Sequence, residues 1–440
     1  MILKAFLEFT ESLISGMLPF VFLIVSGVYF TVKCRFFQFR FLTASLKYAF
    51  GGMKKGSGKN GVSPFQAACT ALSATVGTGN IAGAAGAVAI GGAGAVFWMW
   101  ISAFAGMIVK VAEILLSLEY REKKRGEYIG GPMYYIKNGL PKMLAPLSFL
   151  YAAAAVPAVF CSGNLTQTGA AVQSFGGGTA VKFIGGAVFA AITAAVLAGG
   201  AERIGNFTGK IVPFMALLYL IMTFGIIGVN ISRLPAALSM ILKGAFKPAA
   251  VTGGAVGSIS AAMLTGASRG VFSNEAGLGT SAMAHSASAY TDGTRQSLFG
   301  IFEVFVDTVV ICTLTALSML CSGVGIEYGK GASTELVSSA FATLYGKYSI
   351  ILLAIMMCLF GLSSVIGWGY YGIVSCNFLF GKTGKRLFLL LYPLFCIPGA
   401  LMNIDAAWRL SAFFNGILLC INVFAVLLLS EGVVSKLRAL

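Results

Sequence analysis

The chain has 440 residues, of which 58% are hydrophobic and 10% are charged, and its mean hydropathy is +0.87. Soluble domains are about 45–50% apolar and about 25% charged, so this composition excludes an ordinary soluble protein and indicates a membrane protein. The net charge of +16 does not indicate a nucleic-acid partner, because the basic residues fall in loops between apolar segments.

Eleven apolar segments predict transmembrane helices, since a bilayer core about 30 Å thick needs about 20 residues of helix. They lie at residues 12–32, 64–89, 92–118, 145–171, 180–198, 209–230, 255–285, 294–321, 335–379, 386–403 and 407–430. The predicted fold class is therefore an all-α, polytopic membrane protein. We expect the first segment to remain as a helix and not to be cleaved as a signal peptide, because acidic residues precede it and basic residues follow it.

The basic residues predict the orientation of these helices. Of the 31 Lys and Arg residues, 21 lie in loops on one side of the membrane, six lie on the other side, and four lie within or at the edges of the segments. By the positive-inside rule, the N-terminus is expected outside and the C-terminus in the cytoplasm, in a multi-pass protein of the plasma (inner) membrane.

Two of the apolar segments are interrupted by glycine and polar residues. The interruptions are SATVGTGNIAG, at 73–83, and RGVFSNEAGLGTS, at 269–281. Glycine allows the backbone to leave the helical conformation, and irregular backbone at membrane depth is tolerated only where it is buried in protein or lines a cavity. Both segments are therefore predicted to be discontinuous helices that hold something polar.

The ten segments after the first divide into five plus five, and each half begins with an interrupted segment. An odd number of helices in each half inverts the second half, and paired interruptions in inverted halves predict a transporter site at the bilayer midplane. Free amides and carbonyls at such breaks suit a zwitterion and a cation, such as an amino acid with Na⁺. The predicted units are an N-terminal helix with a basic cytoplasmic linker, a five-helix repeat, an extracellular connection and a second five-helix repeat, at 1–60, 61–232, 233–254 and 255–440.

Five motifs occur in order between about residues 64 and 375: GTGNIAG, GGAGAVFWMW, RGVFSNEAGLGTSAMAH, DTVVICTLTAL and GWGYYG. In these motifs the chain resembles the sodium:alanine (amino acid carrier) symporter family. The resemblance implies the inverted-repeat architecture of the bacterial leucine transporter with one extra helix. It also implies import of a small neutral amino acid, alanine or glycine, by Na⁺ symport through alternating access. The expected partners are that amino acid, Na⁺ and the lipid bilayer, with no nucleic acid, no cofactor and no obligatory protein partner.

The resemblance, carried over onto this sequence, assigns the substrate site to the two interruptions. The amides of Gly77, Thr78 and Gly79 would receive the substrate carboxylate, and Trp368 would limit the side chain that fits. The predicted substrate-binding residues are Thr75, Gly77, Thr78, Gly79, Asn80, Phe272, Ser273, Ala276, Gly277 and Trp368. The predicted Na⁺ ligands are the carbonyls of Ser73 and Val76 and the hydroxyls of Ser363 and Ser364.

Other interpretations of these residues remain open at this point. Gly79 and Gly83 form a G-x-x-x-G pattern, which in an apolar segment is typical of close helix packing. Glu275 is expected to hold free amides at its break, and His285, the one histidine in the sequence, is expected to be a satisfied polar residue or a gating group. The nine cysteines are scattered singly, and no metal-ligand spacing occurs.

Charged residues within the apolar segments support two rival functions. Glu303 and Asp307 are spaced i, i+4, and Lys110 and Glu113 are spaced i, i+3, so each pair shares a helix face. These charges either pair internally and orient helices, or carry protons in a proton-coupled transporter of the same fold. A remote alternative is an intramembrane enzyme, but the sequence contains no nucleophile and base pattern, and we predict no catalytic residue.

Overall fold

A computed structural model describes residues 13–53, 62–124, 126–254, 258–290, 292–329 and 334–440 of the chain. Most of the described residues are helical. The α-helices are α1 (Leu18–Lys33), α2 (Phe37–Arg40), α3 (Leu42–Met53), α4 (Pro64–Thr75), α5 (Ala82–Gly91), α6 (Ala95–Glu119), α7 (Pro132–Gly139), α8 (Pro146–Ala158), α9 (Thr166–Gln173), α10 (Thr179–Leu197), α11 (Gly200–Val229), α12 (Leu234–Phe246), α13 (Pro248–Thr252), α14 (Ile259–Asn274), α15 (Thr280–Ser286), α16 (Gly293–Val304), α17 (Thr313–Ser322), α18 (Thr334–Tyr345), α19 (Ser349–Leu394), α20 (Cys396–Leu401), α21 (Ile404–Leu428) and α22 (Ser430–Arg438).

Shorter elements complete the described chain. An antiparallel hairpin of β1 (Glu122–Lys124) and β2 (Glu127–Ile129) pairs Glu122 with Ile129 and Lys124 with Glu127. The π-helical segments are Leu13–Met17, Val159–Leu165 and Phe305–Cys312, and the 3₁₀ turns are Thr78–Asn80, Lys142–Leu144, Ile231–Arg233 and Gly346–Tyr348. The sequence analysis did not predict the hairpin, because its strands are three residues long and have no clear alternation of apolar and polar residues.

Seven helical stretches of the described chain are long and apolar enough to cross a membrane. They are Ala95–Glu119, Lys142–Gln173, Thr179–Leu197, Gly200–Val229, Gly293–Ser322, Thr334–Leu401 and Ile404–Leu428, and Leu18–Lys33 is a shorter apolar helix. The predicted helical, multi-pass membrane protein is confirmed at this level. The number of eleven crossings stays a prediction.

One predicted segment, 335–379, consists of two helices. Helix α18 ends at Tyr345, a turn follows at Gly346 with φ +53°, and α19 begins at Ser349. Helix α19 then changes direction at Gly381, whose φ of +61° and ψ of −146° are not helical. An apolar run cannot reveal a turn inside it, since the hydropathy of its residues does not change there.

Both predicted interruptions are breaks in helices. The first break, residues 76–81, separates α4 from α5, and the second break, residues 275–279, separates α14 from α15. Helix α4 begins at a capping box in which the Ser63 hydroxyl accepts from the Gln66 amide at 3.2 Å. In the second break, Gly277 and Gly279 have φ of +90° and +77°, a region that side chains with a Cβ disfavour.

Helix α6 supports the broken helix α14 and its neighbour α16. A Cβ at Gly266 of α14 would meet the backbone of Ala95, and a Cβ at Gly300 of α16 would lie 3.1 Å from the backbone of Lys110. Glycine therefore allows both helices to lie against the backbone of α6, and this packing holds the second break in the protein interior.

Some predictions lie wholly or partly outside the described residues. These are the start of the first segment at residue 12, the unit boundaries near residues 60 and 255, and the loop cations Lys4, Lys54, Lys55, Lys59, Arg125 and Lys330. The division into two inverted five-helix halves stays a prediction.

Candidate functional site

The two breaks contact each other through Asn80. Its Oδ1 accepts from the Gly77 amide at 2.9 Å, within the first break. Its Nδ2 donates to Ser273 Oγ at 2.9 Å, at the end of α14, and to Asp307 Oδ1 at 2.6 Å. All of these residues are buried. The interruptions, almost 200 residues apart in the sequence, therefore meet in the interior of the protein.

Asp307 is the shared acceptor of this network. Ser273 Oγ donates to Asp307 Oδ2 at 2.7 Å, and Thr308 Oγ1 donates to the same oxygen at 2.8 Å. Asp307 lies in the π-helical segment between α16 and α17. A π-bulge shifts the helical register, and such bulges occur frequently at functional sites. Although Glu303 is four residues away in sequence, its carboxylate belongs to a different network.

A small central cavity lies between the two breaks. Its volume is about 10 Å³, which is room for about one water molecule. It is lined by Ala74, Thr75, Gly79, Ser162, Gln167, Phe272, Ser273, Glu275 and Trp368. Half of the ten predicted substrate-binding residues are therefore brought together around one space: Thr75, Gly79, Phe272, Ser273 and Trp368.

Gln167, on α9, is a cavity residue that the sequence analysis missed. Its Oε1 accepts from the Thr78 amide at 3.0 Å and from the Thr78 hydroxyl at 2.9 Å. Gln167 is therefore already hydrogen-bonded to the Thr78 amide, which is predicted to receive the substrate carboxylate. The signal that could have found it is the polar run SGNLTQT at 162–168, inside an apolar segment.

The glycines of the first break differ in their surroundings. A Cβ at Gly77 would meet Ser364 Oγ, and a Cβ at Gly79 would lie 3.3 Å from the Phe272 ring. A Cβ at Gly83 would meet no heavy atom within 4 Å. Close packing of a G-x-x-x-G pair therefore does not explain these residues, since one of its two glycines packs against nothing.

Two predicted site residues of the second break face away from the cavity. A Cβ at Gly277 would lie 3.1 Å from Leu419 of α21 and 3.2 Å from Leu23 of α1. Ala276 Cβ lies against Gly106 of α6. The left-handed turn after Asn274 directs these residues toward neighbouring helices, so in this structure they support the break.

Aromatic rings lie beside the cavity toward the predicted extracellular end of α14. The ring centroids of Phe272 and Trp408 are 4.6 Å apart. The guanidinium of Arg269, one turn nearer the start of α14, lies 5.3 Å from the Trp408 ring, a cation–π arrangement. Trp408, on α21, was not predicted as a site residue, because its sequence neighbourhood has no break.

Of the predicted Na⁺ ligands, Ser73 and Val76 lie at the end of α4 and Ser364 contacts it, whereas the contacts of Ser363 are with other residues. The Ser364 hydroxyl, on α19, donates to the Ala74 carbonyl at 2.7 Å, so the two helices touch at the first break. Ser363 Oγ donates to the Phe360 carbonyl at 2.9 Å and lies 3.3 Å from Met215 Sδ. Hydroxyl and carbonyl oxygens are ligands suited to a hard cation. The described residues contain no cluster of three His, Cys, Asp or Glu side chains that could hold a metal ion.

Internal pairing accounts for most of the remaining buried charges. Lys110 Nζ lies 3.3 Å from Glu303 Oε2 and donates to the Asn274 carbonyl, the last of α14, at 2.8 Å. His285 Nε2 lies 2.6 Å from Glu303 Oε1, and the other ring nitrogen lies 2.9 Å from Gln296 Nε2. Of the alternatives for Glu303, the structure therefore favours helix orientation, and His285 is a satisfied polar residue.

Two further buried carboxylates, Glu275 and Glu113, accept hydrogen bonds at the second break. Glu275 accepts from the Thr280 hydroxyl at 2.6 Å, across its own break, and not from the free amides that we expected. Glu113 accepts from Asn422 Nδ2 at 2.6 Å, and the same amide group donates to the Gly277 carbonyl at 2.8 Å. The break is held by side chains of α6 and α21.

Comparison with known proteins identifies the family. A sequence model of the sodium:alanine symporter family matches residues 1–439. The chain belongs to this family. As a member of the sodium:alanine symporter family, it is a sodium-coupled amino acid symporter and a multi-pass membrane transporter, and it is not an enzyme.

Relatives within the family align with this chain over nearly its whole length. The chain is 37% identical over 437 residues to the sodium/alanine symporter AgcS of Methanococcus maripaludis, covering 98% of this chain and 95% of that protein. It is 34% identical over 440 residues to the probable sodium/glutamine symporter GlnT of Bacillus subtilis, covering 99% and 90%.

A solved structure supports the fold independently. The chain is similar to the crystal structure of MhsT in complex with L-phenylalanine, with a TM-score of 0.61 over 82% of this chain and 89% of that one. Because the sequence identity is 14%, this likeness concerns the fold alone. The two chains share the leucine-transporter fold, whereas the extra helix and the two inverted halves stay predictions.

Proposed function

We propose that this symporter imports a small neutral amino acid, alanine or glycine, together with Na⁺, through alternating access. The observation that carries the proposal is the central cavity, where two broken helices leave a space bounded by Phe272 and Trp368. The name of one relative refers to alanine and that of another to glutamine, so the choice of substrate rests on the cavity itself.

The size of the cavity favours a small side chain. With about 10 Å³ between the breaks, even alanine requires the walls to move apart. A Cβ at Gly79 would already lie 3.3 Å from Phe272, and the buried Trp368 lines the same cavity. Each additional methylene would need further space between two aromatic side chains.

We propose that the substrate carboxylate exchanges with Gln167. The Thr78 amide and hydroxyl already bind one oxygen, that of the Gln167 carboxamide. A carboxylate is planar like the carboxamide and carries a negative charge shared by its two oxygens, so it makes stronger hydrogen bonds to these donors. On this proposal, Gln167 keeps the Thr78 amide and hydroxyl hydrogen-bonded in the empty site, and the substrate carboxylate displaces it.

The coupling ion, on this proposal, binds between α4 and α19 through Ser73, Val76, Ser363 and Ser364. An ion there would tie the end of the first broken helix to α19, where Ser364 and Ala74 are already bonded. The driving force is adequate, because moving one Na⁺ down about 100 mV yields about 2.3 kcal/mol. A tenfold concentration ratio adds about 1.4 kcal/mol.

Alternating access needs a closure on each side of the cavity. We assign the outer closure to Phe272, Trp408 and Arg269, whose groups stack beside the cavity. On the predicted cytoplasmic side, a vestibule of about 430 Å³ lies between the hairpin, the start of α11 and α19. We call this space the inner vestibule. Substrate and Na⁺ would leave through it after the inner ends of the broken helices move.

Uptake into proteoliposomes tests the proposal. The purified protein is reconstituted, and radiolabelled alanine uptake is measured under an imposed Na⁺ gradient or an imposed pH gradient. We expect uptake to follow the Na⁺ gradient and to be competed by unlabelled glycine. Uptake that ignores Na⁺ and follows pH would favour proton coupling through Asp307 instead, and strong uptake of glutamine without uptake of alanine would contradict the size argument.

A further inference from the structure

A second cleft, distinct from the central cavity, lies on the face predicted to be cytoplasmic. Its volume is about 650 Å³, and it lies between the β1–β2 hairpin and the bend of α19 at Gly381. Its lining includes four cations, Lys124, Lys382, Lys385 and Arg386. Glu127 is the one acidic residue in that lining. We call it the basic cleft.

The bend at Gly381 creates one wall of the basic cleft. Gly381 has φ +61° and ψ −146°, which interrupts the helical path of α19 directly before Lys382. The three cations that follow, Lys382, Lys385 and Arg386, lie within five residues and line the same space. The hairpin brings Lys124 and Glu127 to the same cleft.

Most of this charge is not compensated within the described protein. Lys124 is paired, with its Nζ 2.7 Å from Glu122 Oε2. Among the described residues, no carboxylate forms an ion pair with Lys382, Lys385 or Arg386. Three cations around one concave space attract an anion that can accept several hydrogen bonds at once, and a phosphate group is such an anion.

Apolar side chains flank the same bend. Phe380 is 69% exposed, Leu387 is 55% exposed and Leu390 is 70% exposed. In a membrane protein, exposed apolar side chains next to a row of cations mark the boundary between acyl chains and headgroups. The occupant that fits both features carries its phosphate in the cleft and its hydrocarbon along these three residues.

We infer that the basic cleft binds the anionic phosphate headgroup of a membrane phospholipid. Basic pockets beside transmembrane helices on the cytoplasmic side are suited to such headgroups. The basic cleft shares Glu127, Ile129, Asn377 and Lys385 with the inner vestibule. A bound headgroup therefore contacts the hairpin and the bend of α19, next to the proposed exit path. The inference does not depend on which solute the protein carries.

Lipid-dependent thermal unfolding tests this inference. The full chain is purified in a nonionic detergent and titrated with phosphatidylglycerol or with phosphatidylcholine, and unfolding is followed by tryptophan fluorescence. Because a ligand that binds the folded state raises its stability, phosphatidylglycerol should raise the unfolding midpoint more than phosphatidylcholine does. In the triple variant Lys382→Gln, Lys385→Gln and Arg386→Gln, the apparent affinity for phosphatidylglycerol should fall roughly tenfold or more, since each cation adds to the attraction.

A matched triple variant controls for loss of charge alone. Lys33→Gln, Arg40→Gln and Lys47→Gln remove two lysines and one arginine from exposed positions on the same predicted side, away from the cleft. This control should respond to phosphatidylglycerol as the unaltered protein does. An equal response of the two triple variants would overturn the inference, and an equal shift produced by inorganic phosphate would overturn the assignment to a lipid. If the cleft triple variant does not fold, Lys382→Gln alone should weaken the response, and an unchanged response would count against the inference.

Discussion

The carboxamide of Gln167 bonds to the Thr78 amide at the centre of the proposed substrate site. We predict that Gln167→Glu weakens alanine binding by at least about tenfold, because a fixed negative charge there would hold the amide and repel the substrate carboxylate. Equilibrium binding of radiolabelled alanine measures the effect. Gln173→Glu is the control, since Gln173 lies on the same helix and donates to the Met402 carbonyl. Equal binding by both variants would refute the exchange with Gln167.

Trp368 lines the central cavity, and we propose that it limits the size of the substrate side chain. Trp368→Ala should broaden the range of amino acids bound, so that the affinity for phenylalanine relative to alanine rises at least about tenfold. Loss of a buried indole also costs about 3–5 kcal/mol of stability, so the ratio of affinities is the informative quantity. The control Trp98→Ala removes an indole that donates to the Ala245 carbonyl. An unchanged ratio in the folded variant would exclude Trp368 as the size filter.

At the scale of single residues, the predicted cavity residues agree with the structure where the helical backbone is broken. Gly79 and Ser273 were predictable because glycine and a hydroxyl inside an apolar segment demand an explanation. Gln167 lines the cavity and Trp408 packs against Phe272 beside it, and both lie on helices with no break at these residues. The polar run around Gln167 could have marked it as a candidate. No local pattern marks Trp408, because nothing in one segment states which other segment packs against it.

At the scale of elements, Arg121 joins the hairpin to the second broken helix. Its guanidinium donates to the carbonyls of Ser286 and Ser288, at 3.0 and 2.6 Å, and lies 3.8 Å from the Tyr128 ring. The last carbonyls of α15 have no partner within that helix. The Ala289 amide donates to the Val62 carbonyl at 2.9 Å, which links this segment to the start of the first broken helix. These contacts hold the inner ends of both broken helices.

We predict that Arg121→Ala loosens this inner closure. Hydrogen bonds from a charged donor contribute about 1.5–3 kcal/mol each, so amide hydrogen exchange in residues 280–289 should accelerate by at least about tenfold. Hydrogen–deuterium exchange with mass spectrometry measures the change. Arg203→Ala, which removes an exposed arginine bound to the Ala195 carbonyl, should leave this segment unchanged. Slow exchange in the Arg121 variant would show that other contacts carry the closure.

The position of most long apolar helices was predictable, because long apolar runs bounded by loop residues have few alternatives in a bilayer. Helices α3, α7 and α12 were not predicted, and α11 begins at Gly200 although its predicted segment begins at residue 209. Turns inside an apolar run were not predictable, as Gly346 and Gly381 illustrate. The π-helical segment around Asp307 was also missed. It depends on hydrogen bonding between helices, including the bond from Asn80 to Asp307.

At the scale of the whole molecule, the buried charges divide into separate networks, and Glu113 and Glu275 bind Asn422 and Thr280 at the second break. Lys110, Glu303 and His285 support the end of α14, whereas Asp307 joins the two breaks through Asn80 and Ser273. The sequence spacing of Glu303 and Asp307 suggested one carboxylate pair. The fold separates them, so of these two carboxylates only Asp307 joins the two breaks.

The paired breaks were predicted as the centre of function from the inverted arrangement of the two halves. The structure brings both breaks to one cavity, and membership of the sodium:alanine symporter family agrees with a transporter. The identity of the transported amino acid depends on the cavity in its bound state, and no sequence pattern specifies that geometry.

The most direct test of the central claim is Na⁺-dependent alanine binding by two glycine variants of the first broken helix. Gly79→Val should abolish binding, because its side chain would fill the cavity against Phe272 and Trp408. Gly83→Val, one helical turn away, points its Cβ into open space and should bind alanine as the unaltered protein does. Normal binding by the folded Gly79→Val variant would contradict the claim that the two breaks hold the substrate.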